Sequence, residues 1–186
     1  MVRQKAREEV FLLIFERLSL SERNEFSLEN VLAIAGTQTQ YVKAVYDIVD
    51  LKLEFFNRHL NKFALKFKLE RFYKVDLSLL VLATVEIMFV DDVPDLVAVN
   101  EALELAKKYS SEKSNKFING ILGAVIDSKE KLLHLFNNPD EDVDEVVAEE
   151  TSEGEEVVAV ETASELKVKE KDKNNIKNEV RIWRAK

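Results

Sequence analysis

The stretch that decides the fold covers residues 91–125 and reads DDVPDLVAVNEALELAKKYSSEKSNKFINGILGAV. Its apolar residues recur about every three or four positions, which is the spacing of one face of an α-helix. The first half predicts a helix that ends near Tyr109. Ser114 is then predicted to cap a second helix that continues to about Phe136. The stretch therefore predicts two consecutive helices joined by a short polar turn.

Upstream of this stretch, the same spacing predicts four more helices. They are an N-terminal helix over residues 3–19, a short helix that Ser27 caps and Gly36 ends, a longer helix over residues 38–64, and an apolar helix that Asp76 caps and that runs to Val90. A helix that is apolar on nearly every side is expected at the centre of a bundle. The 186 residues include only four glycines and two prolines, which favours long helices over a turn-rich β fold. We therefore expect an all-α protein.

Composition also limits the cellular setting and the chemistry. The chain has no cysteine, which excludes disulfides and thiolate metal sites and is compatible with a reducing compartment. Acidic residues interrupt the apolar patch near the N-terminus, so no export signal is predicted. The most apolar run, residues 77–90, is shorter than the roughly 20 residues that span a bilayer, and it contains Glu86. We expect a cytoplasmic protein without a membrane segment.

Asp91, Asp92 and Asp95 form a DDxxD pattern, with which all-helical isoprenoid synthases hold magnesium and diphosphate. In those enzymes the acids share one helical face. Here Pro94 suits a first helical position, so the acids are expected to flank a turn and to favour the positive end of the next helix. The sequence contains no glycine-rich phosphate loop or nucleophile elbow. We therefore predict a protein that is not an enzyme and uses no metal or other cofactor.

Two basic segments carry the candidate RNA contacts. Arg3, Lys5 and Arg7 crowd the start of the first helix, which is an unfavourable place for cations unless a phosphate binds there. Residues 107–117 combine cations with aromatic rings and a helix N-terminus, and these are the groups that hold single-stranded RNA. The candidates in this second segment are Lys108, Tyr109, Lys113, Lys116 and Phe117.

Each segment also has an explanation that involves no RNA. The first is equally expected of an exposed, frayed terminus. In the second, Glu104 and Lys108 have the spacing of a helical ion pair, and Phe117 fits the apolar face of its helix. His59 lies among further cations and is predicted to lie on a polar face. That third basic cluster, which includes Lys68 and Arg71, is expected to be a solvated surface.

The stretch over residues 91–125 closely resembles the C-terminal signature of the NusB family. The family pattern reads close to DVPxxVAINEAVELAKxF, a short glycine-containing link, and then SxxFVNGVL. Two further matches agree in order: Ala6-Arg7-Glu8 resembles the family's ARE, and residues 69–87, LERFYKVDLSLLVLATVEI, resemble its LDRLxxVDRAILRLALYEL. The resemblance implies about seven helices in two small packed bundles.

The resemblance also implies a function. NusB-family proteins are transcription antitermination factors that bind boxA-type single-stranded RNA in nascent ribosomal transcripts together with NusE, a ribosomal protein of the 30S head, within an RNA polymerase antitermination complex. By position, Arg3, Lys5, Arg7, Tyr109, Lys113 and Phe117 correspond to the RNA-contacting surface, and Asp76 and Glu86 to the NusE-facing side. A homodimer is a further possibility. The alternative is a non-catalytic interaction module, related to the N-terminal domain of RNA cytosine methyltransferases.

The chain departs from the family pattern where cations are expected. Gln4 interrupts the N-terminal basic cluster, Leu77 and Val81 occupy usual basic positions, and Ser110 replaces the glycine of the linking loop. Each missing cation removes an attraction for phosphate. We therefore expect weak RNA binding in the absence of NusE.

Composition changes sharply after Asn138. Residues 1–139 hold 19 basic and 20 acidic residues, whereas residues 140–161 hold eleven acids and no base, and residues 162–186 hold eight bases and four acids. A long run of one charge without aromatic residues is typical of disorder. We predict a helical RNA-binding domain over residues 1–138 and a disordered, acidic-then-basic tail over residues 139–186. One hypothesis is that the acidic part competes with RNA for the basic face, and the alternative is a solubilising role.

Overall fold

The computed structural model describes residues 1–66 and 72–142. These residues form seven α-helices and two short 3-10 turns, and no strand occurs among them. In chain order the helices are α1 (Arg3–Leu20), α2 (Glu25–Ala35), α3 (Thr39–Lys66), α4 (Lys74–Phe89), α5 (Asp95–Tyr109), α6 (Glu112–Asp127) and α7 (Lys129–Asn137). The predicted all-α fold is confirmed.

The apolar helix α4 lies at the centre of the molecule. All of its residues from Ser78 to Phe89 are buried. It packs against α1 and α3 on one side and against α5, α6 and α7 on the other. Helices α1 to α3 also contact one another, as do α5 and α6. Two small bundles therefore share α4, and their buried side chains form one continuous core. No helix in the described part of the chain combines the length and apolarity needed to cross a membrane.

Two helices begin before the predicted capping serine. The side chain of Asn24, not Ser27, caps α2, and it accepts a hydrogen bond from the backbone N–H of Ser27 at 3.3 Å. Likewise, Ser111 caps α6 and accepts from the N–H of Ser114 at 3.3 Å. In both cases two suitable polar residues lie one turn apart, and local sequence alone does not choose between them. The cap predictions for Ser27 and Ser114 are therefore wrong by three residues.

Helix ends are partly as predicted. Gly36 ends α2 with a φ of +58°, a conformation that glycine adopts at little cost. The single helix predicted from Ser114 to Phe136 is two helices, α6 and α7, separated at Ser128. Helix α3 is also interrupted, because Lys52 has non-helical angles of φ −123° and ψ 25°. The kink changes the direction of a 28-residue helix between its two halves.

The last described residues fold back onto α3 through Asp142, whose side chain is buried. The guanidinium of Arg58 donates to this carboxylate, and His59 Nε2 lies 3.3 Å from its other oxygen. His59 Nδ1 donates to the carbonyl of Phe55 at 3.0 Å. The prediction of a polar-face histidine is therefore wrong, because His59 is enclosed between Phe55 and Asp142. We call the contacts of Asp142 with Arg58 and His59 the Asp142 latch.

The Asp142 latch extends the described fold past residue 138, where the sequence predicts the end of the helical domain. Residues 143–186 lie outside the described residues, and so do Lys68 and Arg71 of the third basic cluster. The predicted disorder of the tail and its hypothesised competition with RNA fall mainly on that part of the chain. A truncation that removes the acidic run without disturbing the latch must therefore end after Asp142.

The latch predicts that stability falls in weak acid. Burial lowers the pKa of His59 below its ordinary 6.5, and the carboxylate of Asp142 opposes that shift. The unfolded chain therefore binds a proton more readily than the folded one. The free energy of unfolding is undiminished above about pH 6.5 and decreases as the pH falls through the folded-state pKa, by at most about 1.4 kcal/mol per pH unit. Asp142→Asn should enlarge this loss and extend it to lower pH, because the folded-state pKa of His59 then falls further, as measured by urea unfolding between about pH 5 and 7.

The matched control is His59→Gln, which removes the titrating ring. Its unfolding free energy should depend less on pH in this range than that of the wild type. If His59→Gln and the wild type lost stability in parallel, another group would be responsible.

Candidate nucleic-acid interface

The start of α1, the end of α5 and the start of α6 lie together at one end of the fold. Lys108 and Tyr109, the last residues of α5, both donate to the carboxylate of Glu8 in α1, with Tyr109 Oη at 2.6 Å. The Tyr109 ring also packs 4.9 Å, centroid to centroid, from the ring of Phe11. The structure thus brings the two predicted basic segments into one surface.

Asp76 stabilises the turn between α5 and α6 from the interior of the protein. It lies in the first turn of α4 and is fully buried, and its carboxylate accepts from the hydroxyls of Ser110 and Ser114, the latter at 3.2 Å. It therefore neither caps α4 nor faces a partner, and both predictions for Asp76 are corrected. Its position makes it the internal support of the segment that carries Tyr109 and Lys113.

The first turns of α6 present exposed cations. Lys113 and Lys116 are exposed, and neither forms an ion pair within residues 1–66 and 72–142. Phe117 is half-buried, and its ring centroid lies 6.4 Å from that of Phe72. Because the helix N-terminus adds partial positive charge, this part of the surface is suited to an anion. We call Lys113, Lys116 and Phe117, with Tyr109, the α6 patch.

The solvent-accessible cations at the start of α1 are paired with acids. Arg3 Nη2 lies 2.7 Å from a carboxylate oxygen of Asp92. Lys5 Nζ lies 3.0 Å from Glu8 and 2.9 Å from Glu9, its neighbours on the same helix face. Solvent-accessible pairs of this kind are weak, so a phosphate could still attract these cations. Their charge is nevertheless largely neutralised in the free chain.

Arg7 is buried and structural. Its side chain is only 4% exposed, and Nε donates to both carboxylate oxygens of Glu86, at 2.9 and 3.0 Å. A second nitrogen donates to Glu101 at 2.8 Å, and Tyr41 Oη donates to Glu86 at 2.8 Å. The predicted contact of Arg7 with RNA and that of Glu86 with NusE are both corrected, because the two side chains are buried and bonded to each other.

Glu8 is the residue of this surface that sequence reasoning missed. Its carboxylate accepts hydrogen bonds from Lys108, Tyr109 and Lys5. These bonds lower the pKa of the carboxyl to about 2, and the bond from Lys108 has the largest effect. The carboxyl is therefore ionised at neutral pH. The spacing of Lys5 and Glu8 could have indicated a helical pair. Nothing local could have indicated Lys108, which is 100 positions away.

The acids of the DDxxD pattern have separate partners. Asp92 is paired with Arg3, and Asp95, in the first turn of α5, lies 2.8 Å from Lys129 Nζ. Pro94 occupies the position just before α5 and not its first turn. Within the described ranges, no group of three or more His, Asp or Glu side chains is arranged to hold a metal ion.

Comparison with known proteins gives consistent matches. The model of the NusB family matches residues 4–127. The transcription antitermination protein NusB of Natranaerobius thermophilus is 38% identical over 137 residues, covering 70% of this chain and 99% of that protein. The protein of the same name from Lachnoclostridium phytofermentans is 40% identical over 132 residues, covering 68% and 100%. A solved structure of T. maritima NusB superposes with a TM-score of 0.63 at 28% identity, covering 73% of this chain and 99% of that one.

Proposed function

Because this chain belongs to the NusB family of transcription antitermination proteins, we propose that it binds boxA-type single-stranded RNA in nascent ribosomal transcripts together with NusE. The assembled complex helps RNA polymerase to resist termination. The finer parts of this proposal are the RNA class, the partner protein and the surface that contacts the RNA.

The observation that carries the proposal is the α6 patch. Lys113 and Lys116 have no carboxylate partner among the described residues, so a phosphate can approach them without breaking an ion pair. Tyr109 and Phe117 are half-buried; Tyr109 ends α5 just before the turn into α6, and Phe117 directly follows Lys116 in α6. Cations that hold phosphates, next to rings on which an unpaired base can stack, are the groups that bind single-stranded RNA.

The pairing of the α1 cations supports the need for a partner. RNA that reaches Arg3 or Lys5 competes with Asp92, Glu8 and Glu9 for their charge. Fewer free cations mean less counterion release and weaker binding. A partner protein that contributes its own contacts to the same RNA compensates for this deficit, which is the role that we assign to NusE.

The test is a titration of boxA-type RNA, followed by fluorescence anisotropy, with the variant Lys113→Glu/Lys116→Glu. We expect about tenfold weaker binding, since each exposed ion pair with a phosphate is worth up to about 1 kcal/mol. The plot of log affinity against log salt should also become shallower, by about 0.7 for each phosphate that is no longer neutralised. Lys131→Glu is the control matched in charge change to the single variant Lys113→Glu, because Lys131 is an exposed lysine on α7, beyond the other end of α6.

The same titration with and without NusE tests the partner. NusE should strengthen RNA binding by the wild-type chain and by Lys131→Glu. Equal affinity with and without NusE would contradict the assigned role of NusE. An equal loss in the single variants Lys113→Glu and Lys131→Glu would show that net charge matters and the α6 patch does not.

A further inference from the structure

We propose that the carboxylate of Glu8 competes with RNA phosphate for the same groups on the protein. It binds two cations and a hydroxyl that would otherwise be available to the RNA. The inference rests on the proposed RNA-binding function and adds a residue that sets its affinity. Glu8 lies at the junction of α1 and α5, beside the α6 patch, and the sequence predicts no RNA contact for it.

The geometry around Glu8 is that of an anion site. Lys5 Nζ lies 3.0 Å from one carboxylate oxygen, and Tyr109 Oη lies 2.6 Å from the other. The ammonium of Lys108 donates to the same oxygen as Tyr109. Two cations and a hydroxyl from two helices thus converge on one carboxylate. A phosphate group takes the same donors, because both anions accept charge-assisted hydrogen bonds.

Exposure shows which groups can reach RNA. The side chains of Lys5 and Lys108 are 50% and 61% exposed, whereas that of Glu8 is only 12% exposed. The cations therefore face solvent, and the carboxylate lies behind them. With Glu9 as a second acid on Lys5, two positive charges face two negative ones. This part of the surface has little net attraction for phosphate, in contrast to the α6 patch.

A positioning role for Glu8 is the main alternative, in which it orders the donors for RNA. The contacts of those donors argue against it. The Tyr109 ring is held by Phe11 independently of its hydroxyl. Lys5 has a second carboxylate, Glu9, on its own helix, and Lys108 Nζ also lies 5.1 Å from the centroid of the Tyr109 ring. Because these donors are placed without Glu8, the main effect of its carboxylate is to neutralise them.

The experiment measures boxA-type RNA binding by the full chain with NusE, at several salt concentrations, for the wild type, Glu8→Gln and Glu9→Gln. Glutamine keeps the size of glutamate and removes its charge. Glu8→Gln should tighten binding about three- to tenfold and steepen the salt dependence, by about 0.7 for each additional phosphate that the freed cations neutralise. Glu9→Gln is matched in charge change and lies one residue away, but it contacts Lys5 alone among these donors. Its effect should be clearly smaller.

Each other outcome overturns the inference in a recognisable way. Weaker binding by Glu8→Gln would indicate a positioning role. Equal increases in affinity for Glu8→Gln and Glu9→Gln would indicate a general effect of net charge. If Glu8→Gln bound the RNA with the same affinity as the wild type, Glu8 would not compete with phosphate, and the proposed function would still stand. If neither the wild type nor Glu8→Gln bound the RNA with NusE present, the proposed function would fail together with the inference. Glu8→Ala, which lacks the amide, should tighten binding as well.

Discussion

Replacing Arg7 with alanine is expected to lower the free energy of unfolding by about 3–5 kcal/mol. Arg7 neutralises Glu86, which is fully buried in the last turn of α4. Without the guanidinium, that carboxylate keeps a hydrogen bond from Tyr41 and loses the cation bonded to it. An uncompensated buried charge is among the most destabilising changes a protein can carry. Urea unfolding monitored by circular dichroism measures the loss.

Two variants sharpen this test. Lys5→Ala removes a cation two residues away, where the pairs are exposed, and should cost less than about 1 kcal/mol. Arg7→Leu/Glu86→Leu removes both charges and should recover much of the stability lost by Arg7→Ala, because buried ion pairs are often replaceable by apolar residues. A loss below about 1 kcal/mol for Arg7→Ala would mean that water reaches the pair in solution.

Replacing Asp76 with alanine is expected to cost about 2–3 kcal/mol and to weaken RNA binding. The stability loss arises because two hydroxyls, those of Ser110 and Ser114, lose a charged acceptor, and because α4 loses an acid in its first turn. Binding should weaken about three- to tenfold, since the turn that carries the α6 patch must then be ordered when RNA binds. Denaturation and RNA anisotropy measure the two effects.

The controls for Asp76 separate its hydrogen bonds from its charge. Asp76→Asn keeps one acceptor oxygen and should retain part of the stability and most of the RNA affinity. Asp91→Ala removes an exposed acid that precedes α5 and should change either quantity only slightly. If Asp76→Ala lost stability and bound RNA as the wild type does, Asp76 would support the fold without ordering the α6 patch.

The helices could be predicted because their apolar residues recur at helical spacing or, in α4, occupy nearly every position. Their boundaries were harder to predict, because polar residues compete for the capping position at several helix starts. Asn24 and Ser27 can each cap α2, and the choice depends on the wider structure: Glu16 of α1 accepts from both side chains. Such contacts are not encoded in the local sequence. The kink at Lys52 could not be predicted, because α3 contains no glycine or proline.

The contacts of individual residues in the candidate site are harder to predict from the sequence than the helices that carry them. The two basic segments do meet, but the partners of their cations are distant in sequence: Glu86 lies 79 positions from Arg7, and Glu101 lies 94 positions from it. Part of this could have been foreseen. Arg7 precedes Val10 and Ile14 at intervals of three and seven, so helical spacing places it on the buried face.

The composition of the acidic run gives no indication that one of its residues, Asp142, is buried. Asp142 belongs by sequence to the acidic run that begins at Asp140, where each carboxylate looks equally solvated. Its burial depends on Arg58 and His59, which lie more than 80 positions earlier. No spacing rule connects these residues. Only the tertiary structure distinguishes Asp142 from its acidic neighbours.

The shared position of α4 couples the two ends of the molecule thermodynamically. A helix that belongs to both bundles cannot unfold with one of them alone, so we infer that residues from α1 to α7 melt as one cooperative unit. Anything that binds only the folded form stabilises all of that unit, by about 2.7 kcal/mol at a ligand concentration one hundred times its Kd. RNA bound to the α6 patch, as proposed above, should therefore also slow proteolysis at α2 and α7 wherever cleavage requires this unit to unfold.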